Sequence, residues 1–383
     1  TRYWRDWSSD VCSSDLTDIV NQFPKSAFKN DTTTFCDPHA TNKDFLVAVV
    51  ERLKAAGHRR DNIAHRVFAF TDDVITQQNL LNSLDGNITI IETDFLECRM
   101  KFDYVVGNPP YQDPTAVNSK KLWKSFILKT NELLANDGYA ALVSPQTWMR
   151  PGTMFNLIAR ENRLVWANTN IKHYFSQVNS TFVAFIFQKT HAKDTALING
   201  SPCDLTVGFI PTNQDVETRS ILGKVFKVTE KLGFTLDSCR HTQQIKNWGG
   251  VQKTKINKHP IYHTSRITRW SREPHPAQFD KKIIVSTSGY WKPFYDAGKH
   301  GASQIVLYKI VSSKEEGDRV INILNSKLFT FCLEITKQGG FFSDRFVKSL
   351  PYLDTNINWT DDAIYAHFGL TKKEIDYVES HVK

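Results

Sequence analysis

Residues 102–111 read F-D-Y-V-V-G-N-P-P-Y. The apolar run has the composition of a buried strand. Two consecutive prolines cannot continue its ladder, because proline lacks the N–H that a sheet needs. The chain must turn there, which leaves Asn108 at the carboxyl end of the strand. The side-chain carbonyl of Asn108 and the main-chain carbonyl of Pro109 then form a pair of oxygen acceptors suited to a planar amino group. An aromatic amine is a poor nucleophile because its lone pair is delocalised into the ring. Two oxygens accepting its two hydrogens pull the nitrogen towards tetrahedral geometry. Pro110 fixes φ and stiffens the loop, which suits preorganised positioning. Tyr111 offers a flat face on which a ring can stack.

The elements around this turn alternate. Strands are predicted at 33–37, 66–71, 88–93, 102–107, 139–144, 164–169 and 181–188. Between them, Asp44–Ala56 carries Phe45, Val49 and Leu53 at helical spacing and is followed by Gly57 as a C-cap. Leu122–Leu134 is a second helical stretch, with Gly138 after it. Alternation of this kind argues a doubly wound, mostly parallel α/β sheet, whose ligands bind at the carboxyl ends of its strands. Asp37, Asp72 and Asp94 all fall at such ends.

The Asn108–Tyr111 tetrapeptide resembles that of the amino-group methyltransferases with Asn/Asp-Pro-Pro-Tyr/Phe/Trp, especially the adenine-specific DNA enzymes of restriction–modification systems. The resemblance covers roughly residues 25–365 and implies a Rossmann-like S-adenosylmethionine-dependent methyltransferase sheet with a C-terminal α+β target recognition domain. It implies transfer of a methyl group to the N6 amine of a flipped adenine, with Asn108, Pro109, Pro110 and Tyr111 as the catalytic set. The same tetrapeptide also serves glutamine methyltransferases and some RNA enzymes. The family's cofactor loop, close to D-P-x-x-G-x-G-x-F, aligns with Asp37-Pro38-His39-Ala40-Thr41-Asn42-Lys43-Asp44-Phe45. By resemblance Asp37, Pro38, Thr41 and Phe45 face S-adenosylmethionine, Asp72 holds its ribose and Asp94 its adenine amine. Both family glycines are replaced, by Thr41 and Lys43, and side chains there are expected to crowd the cofactor. A DNA-binding homologue that no longer catalyses is therefore a competing reading. In Tyr174–Lys189, Phe175 matches the aromatic that stacks on the flipped base, with Phe182 as second choice.

Motif order resembles the gamma arrangement, with target recognition last. Residues 240–300 hold twelve Lys and Arg against three acids, while the whole chain of 383 residues carries a formal charge of +8. A basic stretch suits a phosphate backbone, so double-stranded DNA is the expected partner. Lys281, Lys282, Trp291 and Lys292 are the expected contacts. The catalytic domain is set at 17–200 and the recognition domain at 201–383. Asp6–Leu16 back-translates to a sequencing-library adapter, so residues 1–16 are read as an artefact without a structural role. The six cysteines form no C-x-x-C and no zinc spacing, so no metal is expected. No apolar run approaches a membrane span. A cytoplasmic monomer is expected, with any restriction nuclease on a separate chain.

Overall fold

The computed structural model describes residues 18–41, 43–112, 121–171, 181–236, 252–288, 291–337 and 342–382. Phe175 and residues 1–16 lie outside them. The chain divides into two compact units: one runs to Trp148 and resumes over Thr153–Thr206, the other joins Met149–Gly152 to Val207 onward.

The first unit is a nine-stranded sheet. Its strands are β1 (Phe35–Asp37), β2 (Val67–Phe70), β3 (Thr89–Ile91), β4 (Phe102–Gly107), β5 (Leu134–Pro145), β6 (Arg163–Asn168), β7 (Phe182–Gln188), β8 (Thr195–Ile198) and β9 (Ser201–Asp204). They lie in the order β3-β2-β1-β4-β5-β7-β6-β8-β9. β1 to β5 pair in parallel, while β7 runs antiparallel to both β5 and β6. The sequence order reverses between β1 and β4, which makes their carboxyl ends the topological switch point where such sheets bind ligands. This is the Rossmann-like sheet expected of an S-adenosylmethionine-dependent methyltransferase.

Helix α1 (Asp44–Ala55) buries Phe45, Leu46, Ala48, Val49, Val50 and Leu53, a face at i, i+4 and i+8 with its neighbours. Gly57, at φ +93°, sits just beyond its end in a conformation that side chains disfavour. α1 packs on Tyr104 and Val106 of β4 in the main core, while Val105, also fully buried, points to the opposite face. There α3 (Leu122–Leu133), which follows α2 (Val74–Ser83) in the chain, stacks Phe126 on Phe95 at 5.8 Å. Both faces of β4 are thus covered, as its apolar stretch Tyr104–Val106 requires. The hairpin of β8 and β9, which extends the sheet, was not anticipated. Residue 200 is the turn of that hairpin, with Asn199 at φ 51° and Gly200 at φ 78°.

The second unit is α+β. Its strands are β10 (Thr235–Leu236), β11 (His259–Thr264), β12 (Ile267–Ser271), β13 (Lys281–Ser286), β14 (Phe294–Ala297), β15 (Gly301–Ala302) and β16 (Val306–Ile310). They form a four-stranded sheet, β10-β16-β13-β14, and a three-stranded one, β12-β11-β15. Ile283, Val285 and Leu307 belong to a core shared with the helices of this unit, while Ile284, Val306 and Tyr308 belong to a second, smaller core with Tyr262 against it.

That alternation corrects one expectation. Lys282 lies one residue from Lys281 on β13 and so faces inward with Ile284. Its ammonium is fully buried, 2.9 Å from Asp296 Oδ2, and donates to the carbonyls of Gln278 and Asp280. It holds the fold rather than a phosphate. Trp291 donates its indole N–H to the Leu324 carbonyl at 3.2 Å and sets its ring edge-on to Phe342. It packs against the core of this unit and is half-buried. Lys281 and Lys292 are exposed, as are Lys253, Lys255, Arg266 and Lys299.

Candidate active site

β1 and β4 are neighbours, so Asp37 and Gly107 end side by side. A Cβ on Gly107 would sit 2.7 Å from Asp37 Oδ1 and 2.9 Å from Pro38 Cδ. Glycine at 107 is what permits this approach, and it was not singled out from the sequence. The next residue, Asn108, is half-buried, and its Oδ1 accepts a hydrogen bond from the Tyr111 hydroxyl at 2.5 Å. The Tyr111 ring stacks on Phe182 with centroids 4.8 Å apart and planes at 27°. Burial pushes the tyrosine hydroxyl's pKa well up, against the Asn108 hydrogen bond that lowers it, so the group stays a donor. The tetrapeptide is therefore closed on itself: the amide oxygen has a donor, and one ring face has a partner. Phe182, the second-choice stacking aromatic, is 3% exposed and does this packing.

The Asp37 carboxyl is buried and accepts from the His39 backbone N–H at 2.9 Å. Desolvation outweighs that bond and pushes its pKa up to about 7. His39 was not anticipated as a site residue. Burial lowers its pKa, while the carboxylates of Asp72 and Asp94 pull it upward. The loop after β1 thus brings an imidazole within electrostatic reach of the acids that end β2 and β3. Its ring meets Phe126 edge-on at 6.1 Å. Asp72 and Asp94 are exposed. Asp94 also caps the turn Phe95–Glu97 by accepting from Leu96 N–H, whereas the cap of α2 is Asp73.

The remaining loop residues divide. Pro38 is buried against Gly107. Phe45 was expected at the cofactor, but it is 3% exposed and packs in the main core. Thr41 is exposed, with its N–H on the His39 carbonyl. Lys43 is exposed and reaches Ser83 Oγ at 3.3 Å, at the end of α2. Among the described residues no group of three or more His, Cys, Asp or Glu is placed to hold a metal ion. Nor is any helix among them long and apolar enough to cross a membrane.

Residues 48–182 match the family model described as Eco57I restriction-modification methylase. The match takes in α1 from Ala48 onward, β4 and the Asn108–Tyr111 turn, and begins after β1 and its loop. The matching model is that of a methylase family, and the strand order of the first unit is the one expected of S-adenosylmethionine-dependent methyltransferases. A search of curated proteins returns no match. Among solved structures, the M protein of the type I restriction enzyme EcoKI is 19% identical, with a TM-score of 0.38 over 48% of this chain and 44% of that one. A modification subunit of a putative type I restriction enzyme from Vibrio vulnificus YJ016 is 16% identical, with a TM-score of 0.39 over 49% and 45%. The type IIG restriction endonuclease BpuSI is 11% identical, with a TM-score of 0.45 over 99% and 62%. The chain spans under half the length of the first two.

The residues present fit S-adenosylmethionine. Its ribose diol and adenine amine need acceptors, and Asp72 and Asp94 are exposed carboxylates at adjacent strand ends that both act on His39. Its positive charge suits the same acidic rim. Lys43, turned to Ser83, leaves that rim without an ammonium from the loop.

Proposed function

We propose that the chain methylates the N6 amine of an adenine flipped out of double-stranded DNA, within a restriction–modification system. The observation that carries this is the half-buried Asn108 at the switch point, followed by two prolines and an aromatic, in a segment that matches a restriction-modification methylase. Bound S-adenosylmethionine supplies an electrophilic methyl group on a sulfonium. Asn108 Oδ1 accepts one N6 hydrogen in place of the Tyr111 hydroxyl, and the Pro109 carbonyl accepts the other. The nitrogen lone pair is thereby freed from the ring. Pro110 keeps the two oxygens in place, so no reorganisation is needed at the moment of transfer. Tyr111, half-buried with one ring face on Phe182, stacks on the extruded base. Phe175 is the proposed second stacking face. Asp37, Thr41, Asp72 and Asp94 hold the cofactor, and no enzyme cysteine takes part.

The second unit is proposed to read the target, with Lys281 and Lys292 on phosphates. The chain acts as a monomer, and any nuclease is a separate partner. The test is transfer of tritium from labelled cofactor into duplex DNA, followed by base analysis. N6-methyladenine is the expected product. Label appearing in RNA or in protein glutamine, with none in DNA, overturns the reading.

A further inference from the structure

Phe279 is 69% exposed, a large aromatic on a turn of the second unit. Exposing such a ring costs stability, and this turn is held so that the ring stays out. The carbonyls on either side of Phe279, those of Gln278 and Asp280, both accept from the buried Lys282 ammonium at 2.9 Å. The third hydrogen bond of that ammonium goes to Asp296 Oδ2, also at 2.9 Å. Asp296 in turn accepts from the backbone N–H groups of Lys299 and His300 and is paired with the His300 imidazole at 2.7 Å. Burial alone would raise the Asp296 carboxyl, but His300 and Lys282 outweigh it and hold it at about 2. Gly298, at φ +89°, packs so closely that a Cβ there would meet the Phe279 carbonyl at 2.6 Å. A buried ion pair is expensive to desolvate, and here it fixes the backbone beneath one exposed ring.

The flanks point to the partner. Lys281 and Lys299 are exposed on the two segments that meet under Phe279, against the single exposed carboxylate of Asp280 beside it. An aromatic between cations matches the alternation of base and phosphate, and apolar side chains of this kind insert at base steps and unstack them. We infer that Phe279 is a wedge that stacks on a base of duplex DNA, with Lys281 and Lys299 on the neighbouring phosphates. This rests on the proposed DNA substrate, and it names a contact that no sequence motif indicated.

The test uses the full chain and a fluorescein-labelled pool of random-sequence 30-base-pair duplexes at fixed salt. Phe279→Ala is expected to weaken binding about tenfold or more without lowering the melting temperature, because the ring is exposed. Phe279→Trp is expected to keep binding and to show tryptophan quenching on duplex addition beyond that of the wild type. Unchanged binding by Phe279→Ala, or absence of extra quenching in Phe279→Trp, overturns the wedge. So does a wild type that does not bind the duplexes. If Phe279→Ala changes only the sedimentation coefficient, the ring belongs to a protein contact instead. The two readings fail separately. Binding that depends on Phe279 without methyl transfer to DNA sinks the proposed function alone, and methyl transfer with Phe279-independent binding sinks the wedge alone.

Discussion

Replacing Asp37 by Asn tests the electrostatics of the switch point. The carboxyl ends β1 in a buried place, and desolvation raises its pKa from 3.8 to about 7 despite the His39 N–H that favours its charged form. In the unfolded chain the group ionises near its ordinary value. Between those two values the folded protein binds more protons than the unfolded one, so stability falls as pH rises. From pH 5 to pH 8 the two pKa values give a loss of about 2.5 kcal/mol. Asp37→Asn keeps an oxygen for the His39 N–H but has nothing to ionise, so it escapes this slope. Its stability relative to wild type is expected to improve by that amount over the same interval. For a unit of this size that is a relative gain of about 5–10 °C in melting temperature. Thermal unfolding of both proteins at pH 5 and pH 8 measures it. If the two melting temperatures move in parallel, the Asp37 carboxyl does not titrate as the burial argument requires.

Asn108→Ala is expected to lower methyl transfer at least about a hundredfold while leaving the melting temperature and duplex binding near wild type; near-normal tritium transfer would remove Asn108 from the mechanism. Replacing Lys43 by Gly is expected to leave S-adenosylmethionine binding near wild type, measured by calorimetry, because its ammonium is turned to Ser83; markedly weaker binding would mean that Lys43 grips the cofactor. Lys282→Met leaves the Asp296 carboxylate buried without its ammonium partner and is expected to cost about 3–5 kcal/mol, read by urea unfolding. A loss under about 1 kcal/mol would contradict the buried pair.

The sheet was legible wherever a strand is buried on both faces, because such strands read as apolar runs. β4 matches its predicted bounds, and β7 differs by one residue. The edge hairpin of β8 and β9 was not legible: Thr195–Ile198 and Ser201–Asp204 alternate exposed and buried residues over four positions each, too few to register a period. Helix α2 was missed for a related reason, since Leu80 is its one fully buried residue and V-I-T-Q-Q-N-L-L-N-S carries little periodicity. At the site, Asn108–Tyr111 was legible because two prolines announce the turn. The Asn108–Tyr111 bond and the Tyr111–Phe182 stack were not, since they depend on side-chain rotamers and on a strand 71 residues away. His39 occupied an unspecified position in the loop pattern, and its relation to Asp72 and Asp94 exists only once β1, β2 and β3 are aligned. Lys282 looked like a surface cation because its composition says nothing of which way β13 is turned. A count of alternation from Ile283 and Val285 would have set Lys282 and Ile284 on one face, but both faces of this strand are covered.

The closeness of Gly107 to Asp37 and Pro38 has a consequence for inheritance. The three positions share one volume although seventy residues separate the first pair in the chain. A mutation at 107 to anything larger is tolerated only on a background in which the end of β1 has already yielded space. Any such change at 37 or 38 would disturb the loop that follows. Substitutions at these sites therefore cannot be gained one at a time in either order with equal cost. Lineages descending from this sequence are confined to keeping the glycine or replacing the strand end together with it.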